Sequence, residues 1–562
     1  MSRTLFRYIF WDLIRVFALT CVVLAGVMSF GGLLRPLTQH GLDAGQVGKM
    51  LFFFLPAMST YSLPVAALFA TTSVYGRLSA DNELTAMRAS GISYWSIAQP
   101  ALRLGFVASL VSLLFLCFVV PNFTLKVEQV IYSNLARLVA SQIEKTHEAS
   151  FGDITVFARG AYVPEVDPLR PNEQRVVLIA PAIRTQELIP FGEKKLKVPE
   201  DFWLAESATV YIRQNPDNAE EEVTLHVDLQ DGIKFPRKFE DRRAVSGGVR
   251  QTQFGPVPIP SPIREKTKFM DLTRLHVLYN DPSKSSTVRD MVQTARRREQ
   301  ESTYLESVRH ELEGPTANIV FEAGGERYIV SRLGAAKSEM RKRRLDIPST
   351  ADTLSRPMRV IQERDGQTML SADCAQVSIT TRSDDDAGRM QVSLELMDAQ
   401  VTVDAGEVVA WREFVRDFSV VMPEEIRAIS QLPIERQLVR KTLNAEDRNR
   451  LARQLIVVAN DVRSELNARA SFAVSCLILV MIGCPLGVMS RSGNFLTAFA
   501  VSVVPAMICI VLIVTGQHTC ENVPDFPTAS NNPLQLGVWL IWSGNLVVMV
   551  IAGSLTFRLQ RR

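Results

Sequence analysis

The sequence lacks the concentrated positive charge and the cysteine spacing that mark several large classes of protein. Its 62 Lys and Arg residues against 59 Asp and Glu residues give a formal net charge of only +3. No basic stretch is interleaved with aromatic side chains, so nucleic-acid binding is excluded. The seven cysteines have neither the regular close spacing of a disulfide framework nor that of a zinc site. Five lie in apolar runs, and only Cys374 and Cys520 are expected to contact water.

Enzyme motifs are missing as well. The chain contains no GxSxG elbow, no HExxH pair and no GxxxxGK[ST] phosphate loop, and its six histidines are scattered. Paired acids such as Glu424-Glu425 have the composition of solvated turns. We therefore expect no catalytic residues, no metal ligands and no cofactor in this chain. If ATP drives its function, a partner has to bind and hydrolyse the nucleotide.

The sequence does contain a sharp separation of apolar and charged segments. Residues 1–125 and 466–562 are dense in Leu, Val, Ala and Phe, whereas residues 126–465 carry most of the charged side chains. A helix needs about 20 apolar residues to cross the hydrocarbon layer. Six segments satisfy this condition: residues 16–34, 50–74, 100–121, 470–489, 495–516 and 535–557.

These segments predict an α-helical membrane protein of 3+3 helices, with a large domain inserted between helices three and four. No span has Asp, Glu, Lys, Arg or His near its middle, which argues against an ion-driven pump because such pumps need ionisable groups inside the bilayer. Lys and Arg concentrate at one set of span ends, and cytoplasmic flanks retain basic residues. We therefore expect both termini in the cytoplasm and residues 126–465 outside it.

A short polar segment after the second span predicts a helix at the membrane surface, over about residues 79–91. Serine is a residue type favoured at the N-cap, so Ser79 is expected to begin the helix. Gly91 can end it in a left-handed conformation. Asp81 and Glu83 suit the positive end of the helix dipole, and Arg88 suits its last turn. The alternative interpretation is a solvated connector with no partner.

Residues 126–465 show the period-two alternation of half-buried strands, as in Val223 to Leu229 and Val392 to Leu396. Turns are expected at Asp231-Gly232, Asp365-Gly366 and Asp404 to Gly406. The pattern predicts an all-β domain, as a jelly roll or a sandwich. A charged helical stretch over about residues 287–313 interrupts it. Two β subdomains, or one enlarged jelly roll with an inserted helical arm, are both compatible with this pattern.

Several motifs together resemble the LptF/LptG permeases, also called the YjgP/YjgQ family. The segment Arg77 to Leu84 (RLSADNEL), followed by Ala86 to Ile92 (AMRASGI), is similar to the coupling segment of that family. The resemblance covers about 220 residues in two blocks, in the same order as in the family. Its other residues are Pro56, Leu63-Pro64, Pro100, Glu465, Arg469, Pro485 to Gly487, Arg491 to Gly493, Trp539 and Asn545.

The resemblance implies a permease subunit of an ATP-driven ABC transporter in the bacterial inner membrane. Such a subunit extracts lipopolysaccharide and passes it through a periplasmic β-jelly-roll toward the outer membrane. The implied partners are an LptB-like ATPase dimer, a second LptF/LptG-like subunit and an LptC-like periplasmic protein. The β domain of this chain is longer than the family pattern.

The resemblance also implies site residues. Those expected to couple the chain to the ATPase are Arg77, Asp81, Glu83, Leu84 and Arg88. Those expected to hold lipid phosphates are Arg35 and Lys49, which as ordinary boundary anchors would instead reach toward headgroups. Helix position suggests the lipid cavity residues Leu24, Met28, Val504, Met507 and Ile508.

Two other functions are compatible with the sequence. One is an ABC permease for another lipid or for lipoproteins, since the same coupling could serve a different cargo. The other is a membrane-anchored β-domain scaffold or sensor without transport. The sequence does not distinguish an LptF-like from an LptG-like subunit, nor a homodimer from a heterodimer.

Overall fold

The computed structural model forms two compact units, one of Met1–Asp281 with Val457–Arg562 and the other of Pro282–Ile456. The first unit contains the membrane helices and one β-sheet, and the second contains another sheet. The structure describes residues 3–40, 44–123, 135–151, 154–164, 173–191, 194–213, 223–236, 247–259, 266–314, 317–323, 325–333, 338–341, 344–347, 356–364, 366–384, 388–403, 408–434, 445–490, 495–524 and 532–561.

Six helices are long and apolar enough to cross a membrane, as the sequence predicts. All extend past the predicted apolar segments, and the fourth has 46 residues, about 69 Å at 1.5 Å per residue. A hydrocarbon layer of about 30 Å accounts for less than half of that length. The helices are α1 (Arg3–His40), α2 (Ala44–Ala80), α4 (Tyr94–Leu114, continued by a π-helical turn at Phe115–Val119), α9 (Ala445–Ser490), α10 (Phe495–Glu521) and α11 (Leu534–Arg561).

Small residues let these helices pack at backbone contact. A Cβ added at Gly487 of α9 would lie 2.7 Å from the Thr72 carbonyl oxygen and 2.9 Å from the Cβ of Tyr75, both on α2. Across α9 and α11, Asn545 Nδ2 donates to the Ser471 carbonyl oxygen over 2.9 Å. Lipid tails give apolar helices little reason to associate, so close packing and interhelical hydrogen bonds of this kind hold a membrane bundle together.

The first β-sheet contains eight antiparallel strands, in the order β1-β2-β5-β6-β4-β3 with β7 on β6 and β8 on β7. Helix α5 (Leu135–Thr146) covers it with Val139 and Ile143 in the core. The sheet is followed by α6 (Leu272–Asn280). The strands are β1 (Glu148–Phe151), β2 (Ile154–Phe157), β3 (Gly160–Tyr162), β4 (Glu173–Ile179), β5 (Ala182–Phe191), β6 (Lys194–Arg213), β7 (Val223–Pro236) and β8 (Gly247–Ile259).

The expected turn at Asp231-Gly232 is wrong, because both residues lie inside β7. Gln230 pairs with Ser207 and Gly232 with Ala205, so β7 continues along β6 across this point. Asp231 has a φ of 50°, which kinks the strand without reversing it. The pairing with β6 over the full length of β7 outweighs the local preference of an Asp-Gly pair for a turn.

The second sheet has nine antiparallel strands, and α7 (Ser286–Glu313) packs on it through Leu305, Val308 and Leu312. Gly366, with a φ of 78°, forms the expected turn before β14, while residues 404–406 lie outside the described residues. The short helix α8 (Glu424–Arg427) follows the sheet. The strands are β9 (Asn318–Ala323), β10 (Glu326–Arg332), β11 (Glu339–Arg341), β12 (Arg344–Ile347), β13 (Met358–Arg364), β14 (Gln367–Cys374), β15 (Gln376–Asp384), β16 (Arg389–Val403) and β17 (Val408–Val421).

The two sheets share one topology. The order β1-β2-β5-β6-β4-β3 with β7 on β6 is repeated as β11-β12-β15-β16-β14-β13 with β17 on β16. The junction before the fifth strand is also similar. Ala180 N donates to the Glu206 carbonyl oxygen, and Ala375 N donates to that of Met397, each over 3.0 Å. The first sheet adds β8 beyond these seven strands, and the second sheet adds the hairpin β9-β10. The β region therefore contains two sheets of related strand order.

Both thiols that the sequence predicts to be water-accessible are buried. Cys374 and Cys520 have 0% exposed surface. Cys374 alternates with polar neighbours in sequence but faces the core of the second sheet, and Cys520 lies against Gly537 of α11. Burial raises the pKa of the Cys374 thiol to about 12, with a further contribution from the Asp373 carboxylate.

We expect Cys374 to resist maleimide in the native protein, because the reactive thiolate is both disfavoured and covered. A variant that retains Cys374 as its only cysteine should label in denaturant and not in buffer at pH 8. The same cysteine-free background with Arg364→Cys, at an exposed end of β13, is the control that should label in both. Rapid native labelling of Cys374 would contradict the buried placement.

Gly487→Val should destabilise the bundle by about 1–3 kcal/mol, because the added side chain meets the backbone of α2. The matched control is Gly553→Val on α11, where an added Cβ meets nothing within 4 Å. The detergent-solubilised proteins are heated, and the folded fraction is measured by size-exclusion chromatography. The thermal midpoint should fall only for Gly487→Val. Equal midpoints would show that α2 and α9 are not in close contact.

Candidate functional site

The polar segment after the second span begins later as a helix than the sequence predicts. Helix α2 continues through Ala80, and a separate helix, α3, covers Glu83–Ala89. The expected N-cap role of Ser79 is wrong, since Ser79 lies in the last turn of α2. Asn82 occupies the N-cap position of α3 with a φ of 58° and makes no side-chain cap hydrogen bond. The buried Leu78 keeps α2 helical through this region.

Helix α3 is held on the membrane bundle by its apolar face. Leu84 is 7% and Met87 9% exposed, and both belong to the core cluster that contains Tyr75 and Ile97. Tyr75 also donates its hydroxyl to the Ile97 carbonyl oxygen over 2.7 Å. Gly91 ends the segment with a φ of 79°, as expected for a left-handed terminator.

The opposite face of α3 carries charged side chains to the surface. Asp81 and Arg88 are exposed and Glu83 is half-buried, whereas Leu84 points into the bundle. The Arg77 guanidinium pairs with the Asp12 carboxylate of α1. Four of the five residues expected to couple to the ATPase therefore have accessible surface. Leu84 does not, and its structural role is to hold α3 on the bundle.

The same region is joined to the end of α9. Ser79 Oγ donates to the Val488 carbonyl oxygen over 3.0 Å, one residue after the close contact at Gly487. Gly483, one turn earlier, packs against Thr71 of α2. A displacement of α3 and of the last turn of α2 would therefore meet α9 directly.

A buried ion pair forms a second polar centre on α9. Arg469 and Glu465 are 2% and 3% exposed, and Arg469 Nε donates to Glu465 Oε1 over 2.8 Å. Glu465 Oε2 accepts a further hydrogen bond from Gln517 Nε2 of α10, also over 2.8 Å. Arg469 and Glu465 lie 18 and 22 residues before Gly487, about 27 and 33 Å along the helix. They therefore lie at the end of the bundle remote from α3.

Arg469 also fixes the short 3₁₀ turn Thr267–Phe269 that precedes α6. Its Nη2 donates to the carbonyl oxygens of Thr267, Lys268 and Met270 at 3.2, 3.3 and 2.8 Å. Sequence reasoning gave Glu465 and Arg469 as family residues but did not identify them as a site. The signal was their i, i+4 spacing just before an apolar span, which places two opposite charges on one helix face.

The residues expected to bind lipid lie on α1, α2 and α10. Arg35 belongs to α1 and Lys49 to α2, and their side chains lie outside the described part of the chain. On α1, Leu24 is half-buried and Met28 is 39% exposed. The three residues on α10 expose larger fractions: Val504 60%, Met507 50% and Ile508 37%. Helices α1 and α10 both pack against α2. Lipid binding by these residues stays a prediction.

Over the described residues, no group of three or more His, Cys, Asp or Glu side chains is placed to hold a metal ion.

Six apolar helices, a short surface helix between the second and third of them, and a large β region are the features of a multi-span membrane protein. The family described as lipopolysaccharide export system permease LptF/LptG matches residues 7–165 and 335–558, which is more than half of the chain. The chain belongs to this family. A comparison with curated proteins finds no match.

The family match is interrupted within the β region. The unmatched residues 166–334 contain strands β4 to β10 together with α6 and α7. The matched strands are β1 to β3 of the first sheet and β11 to β17 of the second. The match therefore takes strands from both sheets and follows neither sheet as a whole.

Arg469→Gln should destabilise the protein by about 3–5 kcal/mol, because it leaves the Glu465 carboxylate buried without its cation. Arg463→Gln is the control on the exposed face of the same helix; it loses a cation–π contact with Tyr279, which should cost no more than about 1 kcal/mol. Thermal unfolding of the full chain in detergent should separate the two variants. A midpoint for Arg469→Gln equal to that of the control would show that the ion pair does not stabilise the bundle.

Proposed function

We propose that this chain is a permease subunit of an ATP-driven ABC transporter that extracts lipopolysaccharide from the bacterial inner membrane. The lipid then passes to a periplasmic bridge toward the outer membrane. Family membership supports the lipopolysaccharide export role. The observation that carries the ATP-driven part is α3, a short helix with a charged outer face and a buried inner face, adjoining the contact between α2 and α9.

The proposed ATPase contact is the exposed face of α3. The Glu83 carboxylate stands at the first turn, where it can accept charge-assisted hydrogen bonds from Arg or Lys of a partner. Asp81, Arg88 and Arg77 surround it with further charge. Leu84 and Met87 pack in the core of the bundle and fix α3 to it. A movement of α3 would therefore also move the helices that it contacts.

The proposed route of coupling runs from α3 to α9. Ser79 and Gly487 join the end of α2 to the end of α9 by a hydrogen bond and a close backbone contact. Helices shift as rigid elements because packed interfaces are not continuously deformable. A movement of α3 on ATP binding or hydrolysis would then displace α9 along its length.

The lipid contacts are proposed on the other helices. The cavity wall would be formed by the apolar faces that contain Leu24 and Met28 on α1 and Val504, Met507 and Ile508 on α10. Arg35 and Lys49 would pair with lipid phosphates, as a guanidinium and an ammonium do elsewhere. The exposure of the α1 and α10 faces supports this assignment.

The proposed partners are an LptB-like ATPase dimer on α3, a second LptF/LptG-like subunit and an LptC-like periplasmic protein. Both termini would lie in the cytoplasm and both β-sheets in the periplasm, since basic residues flank the cytoplasmic ends of the spans. ATP would be bound by the ATPase alone.

Isolation of the complex from its own membrane, followed by mass spectrometry of bound subunits and lipids, tests the proposed function. We expect an ATPase and lipopolysaccharide. An ATPase with a different lipid or a lipoprotein would favour a permease for another cargo. The absence of any ATPase would contradict the proposal and favour a membrane-anchored scaffold or sensor.

Glu83→Ala should leave the protein folded in the membrane but reduce ATPase recovery and lipid export by at least about tenfold, as expected for a lost charge-assisted contact of 1.4 kcal/mol or more. Thr85→Ala, at an exposed position on the same helix, is the control. The measurements are co-purified ATPase and transfer of lipopolysaccharide from proteoliposomes. Normal export by Glu83→Ala, with wild-type amounts of ATPase, would remove Glu83 from the coupling role.

A further inference from the structure

A cavity of about 70 Å³ lies beside the buried ion pair, at the end of the bundle remote from α3. It is enclosed by α2, α4, α9, α10 and the 3₁₀ turn Thr267–Phe269. Its apolar wall includes Met58, Leu116, Val120 and Phe472. Helix α4 is π-helical over Phe115–Val119, where it forms this wall, and such bulges are frequent at functional sites.

One guanidinium nitrogen of Arg469 has no hydrogen-bond partner among nitrogen and oxygen atoms. Arg469 lines the cavity, and its Nε and Nη2 are used by Glu465 and by the three carbonyl oxygens of the turn. Nη1 makes no hydrogen bond to a nitrogen or oxygen atom, although the side chain is 98% buried; the Cys117 thiol of the π-helical turn is a neighbour of the guanidinium. A buried charged donor without an acceptor is destabilising. A ligand that brings an acceptor to Nη1 would therefore be bound favourably.

A second cation stands at the rim of the same cavity. Lys268 is exposed, and its Nζ lies 5.0 Å from the ring centroid of Tyr61. It forms no ion pair with a described carboxylate. Glu465 balances the charge of Arg469, so the cavity lining carries one net positive charge, that of Lys268.

We propose that this cavity binds one phosphate group, carried by a membrane lipid. Arg469 Nη1 would donate to a phosphate oxygen at the base, and Lys268 would provide the balancing charge at the rim. The apolar wall on α4 and α9 would contact the adjoining acyl chain. A water molecule would satisfy Nη1, whereas a phosphate would also engage the Lys268 ammonium. Arg35 and Lys49 are not among the residues of this proposed site, and its binding does not depend on the transport proposal.

The test uses the full-length chain, purified and delipidated in detergent, with native mass spectrometry as the readout. The probes are phosphatidylglycerol and diacylglycerol with the same acyl chains, and inorganic phosphate. We expect one retained phosphatidylglycerol and no retained diacylglycerol. Lys268→Gln should weaken retention about tenfold, which corresponds to about 1.4 kcal/mol.

Lys266→Gln is the matched control, because Lys266 is exposed just before the same turn and does not line the cavity. It should retain the lipid as the unmodified chain does. Arg469→Lys, which keeps the positive charge but loses the planar N–H donors, should weaken retention at least as much as Lys268→Gln. If Arg469→Lys does not fold, the two lysine variants decide the question.

Three results would overturn the proposal. Equal losses for Lys268→Gln and Lys266→Gln would indicate general attraction of lipid to surface charge. Equal retention of diacylglycerol would indicate an apolar site without phosphate recognition. Retention of inorganic phosphate without retention of phosphatidylglycerol would assign the site to the free anion. Loss of lipid export with unchanged lipid retention would bear on the proposed function alone.

Discussion

The buried pair of Glu465 and Arg469 is the constraint on which the arrangement of the first unit depends. Charges removed from water have to be paired and hydrogen-bonded, and Arg469 achieves this by binding both Glu465 and the carbonyl oxygens of the turn at Thr267–Phe269. The turn is thereby fixed on α9, and α6 follows it directly, with Leu275 and Leu278 packed on Val462. The guanidinium and this apolar contact together hold the chain leaving the first sheet on the membrane bundle.

A single helix carries this contact and the one with α2. Gly487 and Arg469 lie on α9 about 27 Å apart, one at the end near α3 and the other beside the turn before α6. The contact at Gly487 requires a residue without a side chain, and the contact at Arg469 requires a large charged side chain. Substitution at either position should therefore weaken the contact. In the mechanism we propose, α9 is the element through which ATP-driven movement of α3 reaches the opposite end of the bundle.

Apolar length was enough to predict the six membrane helices, because lipid excludes unpaired backbone and charge over a fixed thickness. It did not predict where those helices end, since Leu78 and Ser79 extend α2 through contacts with distant residues. Period-two alternation predicted β structure. Turn residues alone predicted a turn at Asp231 that is not there, because β7 pairs with β6 on both sides of this residue. Which guanidinium nitrogens of Arg469 form hydrogen bonds is decided by carbonyl oxygens about 200 residues away in sequence, so no local pattern predicts it.

The β region is long because it contains two sheets. Seven strands of each sheet have the same order, and the junction before the fifth of them is also similar. The family match takes β1 to β3 from the first sheet and β11 to β17 from the second. The compact units divide the chain differently, at Asp281 and Val457, so that the first sheet stays with the membrane helices. The unmatched residues therefore include five strands of the first sheet and the β9-β10 hairpin of the second.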